Sequence, residues 1–87
     1  MSGGTSPLLV IVSGPPASGK TTIAERLAGA LNLPLLTKDS FKELLADTLH
    51  VDGIDWSKKL GAASFELLFS LAERLLVANV SVVIEGN

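Results

Sequence analysis

Near the start of the chain, a lysine and a threonine directly follow the second of two glycines spaced five residues apart. Residues 14–21 read GPPASGKT, which fits the pattern G-x-x-x-x-G-K-T. Glycines let the backbone curl so that successive N–H groups converge on phosphate oxygens. In this pattern the lysine contacts the outer phosphates of a nucleotide and the threonine hydroxyl binds Mg²⁺. The spacing therefore predicts a phosphate-binding loop, or P-loop, whose chemical groups are Lys20 and Thr21.

A P-loop lies between a strand and a helix, and the sequence predicts both elements. Residues 8–12 are continuously apolar, which predicts a strand buried on both faces of a parallel sheet. Apolar residues then recur four apart over residues 20–31, which predicts a helix that Asn32 and Pro34 end. A plain glycine–proline turn would not require the lysine and threonine. We expect the nucleotide phosphates to contact seven residues: Gly14, Ala17, Ser18, Gly19, Lys20, Thr21 and Thr22.

The rest of the chain continues the alternation of strands and helices. Residues 35–37 predict a short strand, and Ser40 with Glu43 predicts a capping box at the start of the next helix. Residues 56–78 predict a long helix buried on two sides, and residues 80–84 predict a third strand. This order predicts an α/β fold with a parallel sheet and right-handed crossovers.

Composition limits the class of protein. The 87 residues are 47% hydrophobic and 18% charged, which predicts one globular domain at residues 7–87 after a flexible tail at residues 1–6. The net charge of −2 gives no indication of a nucleic-acid partner. The absence of cysteine excludes disulfides and thiol chemistry and fits the cytoplasm. No stretch approaches the roughly 20 apolar residues of a membrane span, so no membrane partner is expected.

Three stretches resemble the small P-loop kinases, a group that includes adenylate, gluconate and zeta-toxin-like kinases and similar AAA family ATPases. The stretches are GPPASGKTT, LLTKDSFKELL and VVIEGN. The resemblance implies a P-loop NTPase fold with three α/β/α layers, in which the first three strands take the order 2-3-1. It also implies transfer of the γ-phosphoryl group of ATP, with Mg²⁺, to a small-molecule or nucleotide hydroxyl.

The same resemblance implies roles for two acidic residues. Asp39 matches the acid that binds or deprotonates the acceptor hydroxyl, so Lys20 and Asp39 are the candidate catalytic residues. Glu85 matches the acid that holds Mg²⁺ through water, so Thr21 and Glu85 are the candidate metal residues. The alternatives are ordinary ones. Asp39 would be a helix-start residue, although the capping box at residues 40–43 already supplies a cap, and Glu85 would be a solvated strand-end charge.

Four further residues have open interpretations. Lys38 and Lys42 would either attract an anionic acceptor or be solvated surface charges. His50 and Trp56, near a predicted helix break, would be packing or surface residues, or would line the acceptor pocket. Both arginines fall on predicted helices, where the resemblance implies no lid.

The resemblance also implies segments that this sequence does not contain. Small P-loop kinases run to about twice this length, and two strands, an arginine-bearing lid and an adenine-binding segment follow their third strand. We therefore expect an N-terminal part of a kinase or a truncated gene product, weakly active or inactive alone. Its first strand would be an edge that promotes self-association. The alternative is a module that binds or hydrolyses ATP without an acceptor and regulates a partner.

Overall fold

A computed structural model describes residues 6–14 and 19–86 of the protein. Its elements are β1 (Leu9–Val12), α1 (Lys20–Leu31), β2 (Leu35–Thr37), α2 (Lys38–Leu49), α3 (Ile54–Val77) and β3 (Val82–Glu85). These are the strands and helices that the sequence predicts, with boundaries shifted by three residues or fewer. The predicted tail, apart from Ser6, lies outside the described residues, as do Ala17, Ser18 and Asn87.

The three strands form one parallel sheet in the order β1-β3-β2, which confirms the predicted order 2-3-1. The last strand in the chain is therefore the central one. Glu85, at the end of β3, is in register with Val12 on one side and with Thr37 on the other. All three strands consequently present their carboxyl ends at the same edge of the sheet, where ligands bind in open α/β sheets.

Helices cover both faces of β3, which confirms the three-layer α/β/α arrangement. On one face Val83 packs against α1, and on the other Val82 and Ile84 pack against α3. The helix residues in these two clusters are Ala24 and Ala28 of α1, and Leu68 and Ala72 of α3. Small alanine side chains let α1 approach the sheet closely, which fixes the helix start next to the end of β3.

β1 lies at an edge of the sheet, as predicted, but the prediction that both of its faces are buried is wrong for the described chain. Val10 and Val12 pack toward α1, whereas Leu9 and Ile11 on the other face are 37% and 59% exposed. The reason is position: α3 lies over β3 and β2 and leaves this face of β1 uncovered. An apolar run predicts a strand but does not determine how many layers cover it.

α3 buries one side, so the prediction of two buried sides is also wrong here. From Leu60 and Gly61 onward its buried residues recur at intervals of three or four, as one helical stripe facing the sheet and α2. They are Leu60, Gly61, Ser64, Leu68 and Ala72. Leu67, Phe69 and Leu71 are exposed. No helix within residues 6–14 and 19–86 is long and apolar enough to cross a membrane.

The start of α2 corrects the predicted capping box. α2 begins at Lys38, and Thr37 is its N-cap: the Thr37 Oγ1 accepts a hydrogen bond from the Ser40 backbone N–H at 3.2 Å. Ser40 therefore lies inside the first turn, and Glu43 has no capping role toward it. Thr37 takes the cap because β2 delivers it in an extended conformation, which is the backbone geometry of an N-cap.

Candidate phosphate and metal site

The turn from the loop into α1 depends on Gly19. This residue is the N-cap of α1 and has φ 81° and ψ 10°, a left-handed conformation that glycine adopts without steric cost. As a glycine, the N-cap residue provides no side-chain hydrogen bond to the helix start. The first N–H groups of a helix lack partners inside the helix and carry the positive end of its dipole. This end of α1 is therefore suited to bind a phosphate group.

Lys20 crosses the loop from the helix side to the strand side. Its Nζ donates a hydrogen bond to the backbone oxygen of Gly14 at 3.4 Å. Gly14 follows β1, and Lys20 opens α1, so the contact joins the two ends of the predicted P-loop. Thr22, in the first turn of the helix, is exposed. The predicted phosphate contacts of Ala17 and Ser18 fall outside the described residues.

The structure brings Thr21 and Glu85 together although they are 64 residues apart in the chain. The Thr21 hydroxyl donates to the Glu85 carboxylate, with Oγ1 at 3.0 Å from Oε1 and 3.2 Å from Oε2. The Glu85 side chain is only 2% exposed. Burying a carboxylate is costly unless it is paired with a hydrogen-bond donor or a cation. Its burial at this point, next to the phosphate loop, is more typical of a binding group than of a solvated charge.

These two side chains have the chemistry that Mg²⁺ prefers. A hydroxyl and a carboxylate are hard oxygen ligands, and Mg²⁺ in nucleotide sites is usually held by one or two such groups together with phosphates and water. No cluster of three or more potential His, Cys, Asp or Glu ligands occurs in the described ranges. The pair fits a metal shared with a nucleotide, and Thr21 and Glu85 are the residues that would hold it.

The candidate acceptor residue Asp39 lies near the same edge of the sheet. It is the second residue of α2, two positions after Thr37, the register partner of Glu85. The Asp39 side chain is exposed and lines a pocket of about 330 Å³ with residues 42, 43 and 46. Because Thr37 caps the helix, Asp39 is still not needed as the cap. Its role as a base remains a prediction.

Sequence reasoning missed the contribution of α3 to this region. A second pocket, of about 340 Å³, lies between α2 and α3, and Ser57, Gly61 and Phe65 line it from α3. Their spacing of four residues was the available signal, because it places all three on one face of the helix. Lys38 and Lys42 contribute from α2.

The other candidates have surface or backbone roles. His50 is exposed and ends α2 in a left-handed conformation, with φ 56°. Trp56 is 41% exposed, and the Nζ of Lys59 lies 5.0 Å from the centroid of its ring. Neither residue is among the described residues that line the two pockets near α2. Arg26 and Arg74 lie on α1 and α3, as predicted, and are exposed.

A parallel α/β/α sheet with a phosphate loop before its first helix, and a buried acid at the end of the adjacent strand, is the arrangement of a P-loop protein. The family model described as an AAA domain matches residues 9–86 of this chain. The chain therefore belongs to this AAA domain family of P-loop kinase-like proteins.

Relatives of known sequence and structure are kinases by name. The chain is 41% identical to a cytidylate kinase from Pyrobaculum islandicum over 51 residues, which are 59% of this chain and 28% of that protein. It is 53% identical to a shikimate kinase from Corynebacterium diphtheriae over 45 residues, 52% of this chain and 25% of that protein. A provisionally assigned kinase from Chloroflexus aurantiacus, of solved structure, superimposes with a TM-score of 0.92 at 42% identity, covering 95% of this chain and 45% of that one.

Proposed function

We propose that the protein transfers the γ-phosphoryl group of ATP to a hydroxyl of a small molecule or nucleotide. The observation that carries this proposal is the contact between the Thr21 hydroxyl and the buried Glu85 carboxylate at the start of α1. The two oxygen-bearing side chains lie together near the N-terminus of α1, which supports their proposed role as Mg²⁺ ligands beside a bound phosphate. The kinase names of the relatives support the reaction class.

In this proposal each side chain has one task. The acceptor oxygen attacks the γ-phosphorus, the bond from that phosphorus to the β–γ bridging oxygen breaks, and ADP leaves. Lys20 offsets negative charge on the outer phosphates, and Asp39 takes the proton of the attacking hydroxyl. Bound Mg²⁺ would supply further charge neutralisation, and Thr21 and Glu85 would hold it at the phosphates.

The whole protein's activity is part of this proposal, because the chain spans about a quarter of the length of the curated relatives that it matches. We infer that residues 7–87 form the nucleotide-binding part of a kinase domain and are weakly active or inactive alone. A cytoplasmic location also belongs to the proposal, supported by a sequence without cysteine.

The test is phosphoryl transfer by the full-length protein, followed by ³¹P NMR with Mg²⁺ and ATP. Shikimate, a hydroxyl compound, is the first acceptor to try, and CMP, whose phosphate oxygen would be the acceptor, is the second, since the relatives' names specify them. We expect a phosphorylated acceptor to accumulate with ADP. Release of ADP and inorganic phosphate alone, across a broad set of hydroxyl compounds, would instead support an ATP-hydrolysing module that regulates a partner.

Two variants separate the donor site from the acceptor site. Asp39→Asn should slow phosphoryl transfer by about 10²- to 10⁴-fold, because general-base catalysis contributes that much, with little change in the affinity for Mg²⁺-ATP. Thr21→Ala should instead weaken the Mg²⁺ dependence of ATP binding, and Thr21→Ser should restore it. Transfer by Asp39→Asn at the wild-type rate would make Asp39 only a helix-start residue.

A further inference from the structure

Gly86, the residue after the candidate metal ligand Glu85, continues the pairing of β3 with β1. Its backbone N–H donates a hydrogen bond to the backbone oxygen of Val12 at 3.1 Å, and Val12 is the register partner of Glu85. The parallel pairing therefore extends one residue past the carboxylate. The φ angle of Gly86 is not in the left-handed region, so the backbone conformation does not require a glycine at this position.

Space, and not backbone conformation, opposes a side chain at Gly86. A Cβ there would lie 3.2 Å from Cε1 of Phe65, and 3.5 Å from both Cδ2 of Leu68 and Cβ of Lys38. Carbon atoms in ordinary contact are about 3.5–4.0 Å apart, so the contact with Phe65 would be too close unless one of the two residues moved. At Gly29, by contrast, a Cβ would meet no atom within 4 Å.

The neighbours of Gly86 on α3 are held in place by other contacts. Leu68 is 1% exposed and belongs to the core between α3 and β3. The Phe65 ring is stacked on Phe69, with the two centroids 6.2 Å apart, and the Nζ of Lys38 lies 4.3 Å from the Phe65 centroid. A methyl group added at Gly86 would therefore push on the end of β3.

A displaced Gly86 would carry Glu85 with it. Successive residues of a strand point to opposite faces of the sheet, so position 86 faces α3 while the Glu85 carboxylate meets Thr21 of α1. A shift of the backbone away from α3 would disturb the 3.0 Å contact between Glu85 Oε1 and Thr21 Oγ1. Binding groups keep their function only within about 0.5 Å of the productive geometry, so a small shift is sufficient.

We propose that the contact between Gly86 and Phe65 positions the candidate metal ligand. The absence of a side chain at position 86 lets the end of β3 lie against the Phe65 ring, and this sets where the Glu85 carboxylate meets Thr21. The inference rests on the proposed function, in which Thr21 and Glu85 hold Mg²⁺. Gly86 and Phe65 act through Glu85 and are positioning residues.

Calorimetry of ATP binding to the full-length protein, with Mg²⁺ and with EDTA, tests the proposal. The quantity compared is the gain in ATP affinity that Mg²⁺ provides. Gly86→Ala should reduce this gain roughly tenfold, the lower end of the range for changes in groups that support a metal ligand. It should leave the affinity for metal-free ATP unchanged. An undiminished gain in Gly86→Ala would overturn the inference.

The matched control is Gly29→Ala, because its new methyl group meets no atom within 4 Å and lies near the other end of α1 from Thr21. This variant should keep the whole gain from Mg²⁺. An equal loss in Gly29→Ala would show that any added methyl group has the same effect, and would overturn the proposal.

A second substitution distinguishes positioning from a general loss of stability. Phe65→Leu removes Cε1, the atom nearest to the added methyl group, so the double variant Gly86→Ala with Phe65→Leu should recover most of the gain from Mg²⁺. A double variant no better than Gly86→Ala would overturn the inference. If Gly86→Ala does not fold, Phe65→Ala takes its place. Loss of the ring should then lower the gain, and a full gain would contradict the proposal.

¹H–¹⁵N NMR of the metal-free full-length protein adds a measurement that needs neither metal nor turnover. Gly86→Ala should shift the amide signal of Thr21, and the double variant should move it back toward the wild-type position. An unshifted Thr21 signal in Gly86→Ala would overturn the inference.

A phosphoryl-transfer assay separates this inference from the proposed function. A gain from Mg²⁺ that Gly86→Ala reduces, in a wild type that phosphorylates no acceptor, would overturn the proposed kinase and leave the positioning contact standing. Phosphoryl transfer by the wild type, with an equal gain from Mg²⁺ in Gly86→Ala, would overturn the positioning inference alone.

Discussion

Ile11 and Ile84 are register partners on neighbouring strands, yet one side chain is largely exposed and the other is fully buried. Ile84 is 1% exposed and packs against α3, whereas Ile11 is 59% exposed. Paired residues of a parallel sheet point to the same face, so the two isoleucines are equal in type and direction and differ in the strand that carries them and in the layer that covers it. α3 covers β3 and leaves that face of β1 open.

The comparison shows why the candidate site forms where it does. β3 is central and every residue in it is buried, so the backbone that ends in Glu85 is fixed from both sides and both faces. The carboxylate can then meet Thr21 at a defined distance. β1 supplies the other side of the phosphate loop but has one neighbour and one covered face. The candidate metal ligand Glu85 is therefore held in position by the buried strand β3.

The largest effect should come from shortening the two isoleucines in turn. Ile84→Ala should lower the free energy of unfolding by about 2–5 kcal/mol, because it removes buried methyl groups and leaves a cavity. Ile11→Ala should change it by no more than about 0.5 kcal/mol, as expected of a surface position. Urea denaturation followed by circular dichroism measures both.

If Ile84→Ala does not fold, the milder pair Ile84→Val and Ile11→Val keeps the comparison measurable. The first should cost about 0.5–1.5 kcal/mol and the second close to nothing. Equal losses at the two positions would mean that β1 is covered as fully as β3, and the contrast between the strands would be wrong.

A smaller effect concerns what covers the open face of β1. An apolar groove of about 460 Å³ runs along it, lined by Leu9, Phe69, Ala72, Glu73, Leu76 and Val77. An apolar edge strand without charges tends to pair with another strand. We therefore expect the 87-residue chain to self-associate at micromolar concentration, through β1 across a two-fold axis or by exchange of elements.

Sedimentation velocity measures this association. Ile11→Lys places a charge on the exposed edge and should weaken self-association at least about tenfold. Lys58→Ala should not, because Lys58 lies near the start of α3 and the groove lies along the end of that helix. A wild-type chain that sediments as a monomer and unfolds cooperatively would contradict the expectation.

The smallest effect tests the other edge strand, β2, which has three half-buried residues. Its end is held by the cap at Thr37, so Thr37→Ala should cost about 1 kcal/mol of unfolding free energy. Glu43→Ala should cost within about 0.5 kcal/mol, since it has no capping role. Thermal or urea denaturation compares the two variants. A larger loss from Glu43→Ala would restore the capping box that the structure replaces.

Much of the fold could be predicted because it depends on local patterns. The helix at residues 20–31 and the strand at residues 35–37 match the structure to the residue, since apolar spacing, Asn32 and Pro34 are local signals. The cap of α2 was misassigned because Thr37 and Ser40 both have the right chemistry, and only the extended end of β2 selects between them.

What could not be predicted depends on contacts between distant parts of the chain. The sequence predicts that β1 and β3 are apolar strands, but their different burial follows from where α3 lies. The resemblance implied that Thr21 and Glu85 act together, and the parallel register supplies the distance between them. The pocket between α2 and α3 could be predicted only in part. Lys58, Gly61 and Phe65 line it from α3, a helix whose pattern was interpreted mainly as core.

The central claim is that nucleotide phosphates bind where the loop enters α1, beside the end of β3, and not at the α2–α3 pocket that Lys38 lines. Isothermal titration calorimetry of Mg²⁺-ATP with the wild type, Lys20→Ala and Lys38→Ala tests it directly. We expect Lys20→Ala to weaken ATP binding at least about tenfold, the scale of a lost charge-assisted hydrogen bond, and Lys38→Ala to leave it unchanged. Equal losses from the two lysines would contradict the account.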